Sequence, residues 1–232
     1  MAKDIRRQYD DVAETFSKNH VIGWNSNDMN RRHFYSIVRS FFPNRRAISG
    51  KRVLDIACGD GYDAARYLRR GFSVFGVDAS RSMLEIARER YPAINFKLGM
   101  AERLPYGDGS FDAVFSKYAI MTSRDLRPIF REAHRVLKKG GIFIYLVTHP
   151  FRQHFEKKSA RADYFKQKLV TSNILNGSVS LREPTHTLGE YLSPDFLERF
   201  DVLRFEERFE PAAERIGKGV YPGYFVLACR KR

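Results

Sequence analysis

The chain has 232 residues, 43% of them hydrophobic and 29% charged, with a formal net charge of +14. These totals suit one sizeable domain with a proper core and exclude a disordered or fibrous chain. No apolar run reaches the roughly 18 residues of a membrane span, and the opening MAKDIRRQYDD has no apolar signal-peptide core, so a cytoplasmic protein is expected.

The excess positive charge is spread evenly along the chain rather than gathered in a stripe or tail. It reads as solvated surface, and nucleic acid is not expected as the partner. The two cysteines, Cys58 and Cys229, lie far apart without metal-ligand spacing, which predicts reduced thiols and no metal site.

In chain order, Ile5, Tyr9, Val12, Ala13 and Phe16 recur at helical spacing, and Phe34, Ile37, Val38, Phe41 and Phe42 do so again before Pro43. From Arg52, short apolar runs alternate with helical stretches, the pattern of a parallel sheet covered on both faces. Strands are expected at Val53–Ala57, Ser73–Val77, Asn95–Leu98, Phe111–Ser116 and Ile142–Thr148. The helices between them are read at Asp63–Arg70, closed by Gly71, at Ser80–Arg90, and from Leu126 to the pair Gly140-Gly141. After His149-Pro150 the rhythm breaks for some thirty-five residues, long enough to predict a binding loop or lid. A helix from Ser193-Pro194 to Arg199 and strands at Val202–Phe209 and Tyr224–Cys229 complete the chain.

The first strand runs into Asp55-Ile56-Ala57-Cys58-Gly59-Asp60-Gly61. Gly59 and Gly61 permit a sharp turn and close approach of a ligand, and the next helix aims its first amides at the same place. Asp78 ends the second strand, where a carboxylate can accept both hydroxyls of a ribose. A nucleoside-containing cofactor is implied. The glycines alone also satisfy the dinucleotide fingerprint, so an NAD-dependent oxidoreductase stays open on them. Asp55 favours an ammonium-bearing ligand, since a pyrophosphate beside it would be repelled.

Four consecutive motifs then carry a resemblance: VLDIACGDG, VFGVDAS with MLEIAR, AERLPYGDGSFDAVFS and REAHRVLKKGGIFIY. Together they resemble the class I S-adenosylmethionine-dependent methyltransferases, especially the ubiquinone-biosynthesis-like subgroup (methyltransferase type 11), over Lys51 to Thr148. The resemblance implies an α/β Rossmann-like seven-stranded, mostly parallel sheet with helices on both faces and the last strand antiparallel. It implies a single domain: a helical cap at 1–50, a cofactor-binding core at 51–148, a substrate-lid insertion at 149–190 and a C-terminal part of the sheet at 191–232.

It also implies S-adenosylmethionine as cofactor, with S-adenosylhomocysteine as product. Asp55, Gly59 and Gly61 would hold the methionine part, Asp78 the ribose and Ala79 the adenine. Ala57, Met83, Ala101, Glu102 and Ser116 complete that set, while Met100 stands where the family often has an acid.

The expected reaction is in-line methyl transfer to an oxygen, nitrogen or carbon of a small molecule, acidic or aromatic, by a monomer or homodimer. RNA methylation is the other alternative, although Ser116-Lys117-Tyr118-Ala119 lacks the Pro-Pro-aromatic signature of enzymes that methylate nucleic-acid amino groups. Alignment of the reactants supplies most of the rate in such a displacement, and a base is needed only for a protonated hydroxyl.

His149, at a strand end facing the ligand crevice, is the first candidate base, with His154 and His186 behind it. Tyr9, Trp24, Arg31, Lys117, Tyr118, Arg152, Tyr164, His186 and Tyr191 are candidate acceptor contacts, and Phe151, Gln153 and Phe165 add to the aromatic and polar character of the insertion.

Overall fold

The computed structural model describes residues 4–22, 26–156, 163–175, 177–209 and 221–232. Helices α1 (Ile5–Ile22), α2 (Ser26–Phe41) and α3 (Arg45–Ile48) precede the first strand. Alternation then sets in with β1 (Arg52–Ile56), α4 (Tyr62–Arg70), β2 (Ser73–Asp78), α5 (Arg81–Arg90), β3 (Asn95–Leu98) and β4 (Phe111–Lys117). A 3₁₀ turn at Ile120–Thr122, α6 (Arg127–Val136) and β5 (Leu137–Thr148) follow. The remainder comprises α7 (Pro150–Glu156), β6 (Leu169–Ile174), β7 (Val179–Pro184), α8 (Leu188–Tyr191), α9 (Pro194–Arg199), β8 (Phe200–Arg208) and β9 (Tyr224–Lys231).

Seven strands form one sheet in the order β3-β2-β1-β4-β5-β9-β8. The first five pair in parallel, and β9 runs antiparallel to both β5 and β8. The expected Rossmann-like sheet with its antiparallel last strand is therefore present. Strand alternation divides the core between the two faces. Ala113 and Phe115 of β4 point toward α2, where Phe115 stands edge-on to Phe34 with ring centres 6.2 Å apart. Val114 points the other way, into a cluster with Ile129, Phe130 and Ala133 of α6.

Two expectations need correction. Helix α6 stops at Val136 instead of reaching Gly140-Gly141, because Leu137 is already extended and pairs with Phe111 of β4. The glycines serve an irregularity inside β5: Gly140 is left-handed (φ 72), and a Cβ on Gly141 would lie 2.9 Å from the Lys138 carbonyl oxygen. The insertion, read as irregular, contains α7 and an antiparallel hairpin of β6 and β7 that forms its own two-stranded sheet. Leu175, Val179 and Leu181 of this unit cluster with Tyr9, Val12 and Phe16 of α1.

Candidate functional site

Strands β1 and β4 are neighbours, but β1 connects onward to β2 and β4 to β5 on the opposite side. Their following loops therefore diverge to opposite faces and leave a crevice at the carboxyl ends of the strands. Each strand is followed directly by a non-glycine residue in the left-handed region, Ala57 (φ 54) and Tyr118 (φ 55), and both residues line the resulting cavity. Such conformations are uncommon outside glycine and gather where a chain must turn at a functional edge.

Gly59 (φ 52) has no atom of the described residues within 4 Å of a notional Cβ, so its backbone lies open to approach. Gly61 (φ 77) is the reverse case, since a Cβ there would meet Phe96 Cζ at 2.8 Å. One glycine keeps space for a ligand and the other lets the loop pack onto β3.

The cavity measures about 520 Å³, within the size range of small-molecule sites. Of the expected cofactor residues, Ala57, Gly59, Asp78, Ala79, Met83, Ala101 and Glu102 line it. Of the expected acceptor contacts, Tyr9, Lys117, Tyr118 and Arg152 do so.

Asp78 is fixed by backbone donors: Gly59 N–H reaches Oδ2 at 2.8 Å and Ser80 N–H reaches Oδ1 at 2.9 Å. Burial raises its pKa nonetheless, outweighing these hydrogen bonds. Beneath the loop, Asp55 is 3% exposed and its Oδ2 has no hydrogen-bond partner among the described residues. Burial first and the nearby Asp63 second push the Asp55 carboxyl well above its usual range, with Lys117 opposing. Lys117 is ion-paired with Asp63, whose Oδ1 also accepts the Tyr35 hydroxyl at 2.8 Å.

Other expected residues lie away from the cavity surface. Ser116 is buried and donates to the Ile56 carbonyl at 3.2 Å, within the sheet. His149 is 1% exposed and turns toward β8, where its Nε2 lies 2.7 Å from Glu207 Oε1. Burial lowers its pKa and Glu207 works against that shift. His186 is buried with Nε2 3.1 Å from the Met121 carbonyl oxygen, and Tyr191 is wholly buried with its ring 5.1 Å from that of Phe225.

The Tyr164 hydroxyl accepts the Leu188 N–H at 2.8 Å, and the His154 ring packs between Phe155 and Tyr164. Arg31 is buried with its guanidinium 4.6 Å above the Tyr62 ring, and Phe165 is 84% exposed. Trp24 lies outside the described residues. The imidazole of His149 thus serves the sheet edge, and the aromatics of the insertion mostly pack among themselves. Cys58 borders the cavity, but burial, with Asp78 and Asp55 nearby, pushes its thiol well up, so it stays neutral.

Several groups at this site carry no sequence signal. Asp10 of α1 accepts the Ser80 hydroxyl at 2.6 Å and the Ser82 N–H at 3.2 Å, at the start of α5. Ser17 donates to Asp60 Oδ2 at 2.9 Å, and Arg90 also reaches that oxygen at 3.2 Å. On the other flank, the Gln8 side chain exchanges two hydrogen bonds with the backbone of Arg182 in β7. Helix α1 therefore bridges the glycine loop and the hairpin, a relation spanning some 170 residues that only folding creates.

Residues 54–145 match the family described as a methyltransferase domain. A demethylmenaquinone methyltransferase of Thermotoga maritima is 30% identical over 217 residues, covering 90% of this chain and 91% of that protein. The chain belongs to the class I S-adenosylmethionine-dependent methyltransferases. Another demethylmenaquinone methyltransferase, from Chlorobaculum parvum, is 34% identical over 170 residues, 71% of this chain and 68% of its own length. An S-adenosylmethionine-dependent methyltransferase structure from Mesorhizobium loti shares the fold with a TM-score of 0.67 at 23% identity, over 85% of this chain and 97% of that one.

The family resemblance carried by the four motifs is borne out, and with it the enzyme class and S-adenosylmethionine as the methyltransferase's cofactor. No helix among the described residues is long and apolar enough to cross a membrane.

Proposed function

We propose that this methyltransferase binds S-adenosylmethionine in the crevice at the ends of β1, β2 and β4 and methylates a largely apolar small molecule lying between that crevice and the β6–β7 hairpin. The observation that carries this reading is the shared cavity: Gly59, Asp78 and Glu102 on one side and Arg152 and Leu181 on the other border one space of about 520 Å³.

The residues present fit the cofactor. Gly59 leaves its backbone open, Asp78 stands at the end of β2 with its oxygens oriented by two amides, and the buried Asp55 Oδ2 has no partner among the described residues. Ribose hydroxyls suit the first carboxylate, and an ammonium suits the acidic pair Asp55 and Asp63. When bound, the cofactor supplies a methyl group on a positively charged sulfur, an electrophile that needs no further activation.

What the chain's residues add is position and shelter. Phe16, Met121, Ile174, Leu175 and Leu181 give the acceptor half an apolar wall that excludes water. Orientation of two reactants is worth about 7 to 11 kcal/mol at best, enough for this displacement without elaborate machinery. An apolar acceptor agrees with relatives named for demethylmenaquinone, and Arg152 offers a cation to a polar edge.

Calorimetric titration with S-adenosylhomocysteine and NADH tests the cofactor site; binding of NADH alone would defeat the proposal. Incubation with methyl-labelled S-adenosylmethionine and separated lipid, aqueous and RNA fractions tests the acceptor, with label expected in a small molecule of the lipid fraction. Label confined to RNA would replace this reading.

A further inference from the structure

Large hydrophobic side chains exposed singly call for no explanation. The aromatic ones among the described residues are gathered instead: Phe151 (47% exposed), Phe155 (44%) and Phe165 (84%) all belong to the insertion after β5. Phe151 and Phe155 stand four residues apart on α7 and so share a face. Other rings join them. Tyr164 lies 6.0 Å from Phe151 and 5.3 Å from Phe165, and His154 lies 5.8 Å from Tyr164 and 5.7 Å from Phe155. Tyr221, 5.0 Å from Phe155, extends the row. The result is one contiguous aromatic surface, and a contiguous exposed patch marks a place where something docks.

The charge around the patch selects its partner. Residues 150–168 carry six lysines and arginines against two acidic residues, a local excess that the even charge of the whole chain conceals. Phenylalanine rings beside lysines and arginines are the two halves of an interfacial anchor: the rings enter the boundary between headgroups and acyl chains, and the cations meet lipid phosphates. A second copy of this chain on the same patch would bring like charges together. A single-stranded nucleic acid would need open ring faces to stack on, whereas these rings stand at 46° to 79° to their neighbours and close into a surface. Helix α7 also joins the patch to the site, since Arg152 borders the cavity and the wholly buried Gln153 donates to Glu183 of β7 at 3.3 Å.

We propose that the aromatic face formed by Phe151, Phe155 and Phe165 docks this methyltransferase onto an anionic lipid bilayer, the rings entering the interface and the basic residues of the same insertion meeting lipid phosphates. This surface lies outside the cofactor crevice, and its binding does not depend on which acceptor is methylated.

The test is sedimentation of the intact chain with vesicles of phosphatidylcholine alone and of equal parts phosphatidylcholine and phosphatidylglycerol. The wild-type protein should partition onto the mixed vesicles at least about tenfold more strongly than onto the neutral ones, because each basic group near an anionic surface adds to the attraction. Phe155→Ser combined with Phe165→Ser should weaken binding to the mixed vesicles about tenfold or more, since two rings no longer leave water. Lys166→Gln combined with Lys168→Gln should weaken it about fivefold or more and flatten its dependence on salt.

An unchanged melting temperature in the variants shows that the fold survives, as expected for exposed side chains. Should the double phenylalanine variant unfold, Phe165→Ser alone, at the most exposed ring, decides the matter with an expected loss of about threefold. Absence of wild-type binding to either vesicle, equal binding to both, or binding that the ring substitutions leave intact overturns the proposal. Dimerisation of the chain or binding of a single-stranded RNA that the ring substitutions abolish, with vesicle binding retained, overturns it in favour of that other partner.

Discussion

Gly59 donates its backbone N–H to Asp78 Oδ2 at 2.8 Å, so the loop leaving β1 is tied to the carboxyl end of β2. The same carboxylate orients the loop and faces the cavity. Asp78→Asn replaces one accepting oxygen with a donor, which must confront either the Gly59 or the Ser80 N–H. S-adenosylhomocysteine affinity should fall about 10- to 100-fold, the worth of a hydrogen bond to a charged group, as read by calorimetry. Unchanged affinity would remove Asp78 from the cofactor site.

Asp55 predicts opposite effects on stability and binding. Its carboxyl is raised by burial and by Asp63, so folding favours the protonated form. Its contribution to stability is complete below the ordinary carboxylate pKa of about 3.9 and is lost as the pH climbs through the raised folded value. Asp55→Asn should therefore raise the melting temperature at pH 7, leave it nearly unchanged near pH 3, and weaken S-adenosylhomocysteine binding. A lower melting temperature at pH 7 would mean that Lys117 depends on the Asp55 charge more than burial penalises it.

Gly61→Ala adds a Cβ 2.8 Å from Phe96 Cζ at a residue with φ 77. Left-handed strain and overpacking act together, and urea denaturation should show a loss of about 2 to 4 kcal/mol. A loss below about 0.5 kcal/mol, the ordinary surface range, would show that the loop repacks freely.

Tyr191 tests whether a core residue can be mistaken for a binding residue. Its hydroxyl is buried without a hydrogen-bond partner among the described residues, and its ring lies among Tyr145, His186 and Phe225. Removing an unpaired buried hydroxyl relieves a desolvation cost, so Tyr191→Phe should be neutral or stabilising by up to about 1 kcal/mol in urea. Methyl transfer should persist at the wild-type rate. A rate loss of more than about tenfold would return Tyr191 to the acceptor site.

Much of this protein is determined locally. The order of the motifs, the apolar strand Val53 to Ile56, Gly59 and Gly61 at left-handed positions, and Asp78 at the end of β2 all follow from short stretches whose conformation neighbours dictate. A hairpin was also legible in principle, since Asn176-Gly177, a common turn signal, precedes the alternating run Ser178 to Arg182. What no local pattern could decide is which side chains meet across the cavity.

His149 ends a strand as a catalytic base might, yet it turns to Glu207 because β8 packs beside it. Glu183 belongs to no motif of the sequence, and it reaches the cavity through hairpin pairing and the hold of Ser172 and Gln153. Backbone conformation is set over a few residues, whereas side-chain company in a cavity depends on contacts between segments far apart in the chain, and those exist only once the sheet, α1 and the hairpin have closed on one another.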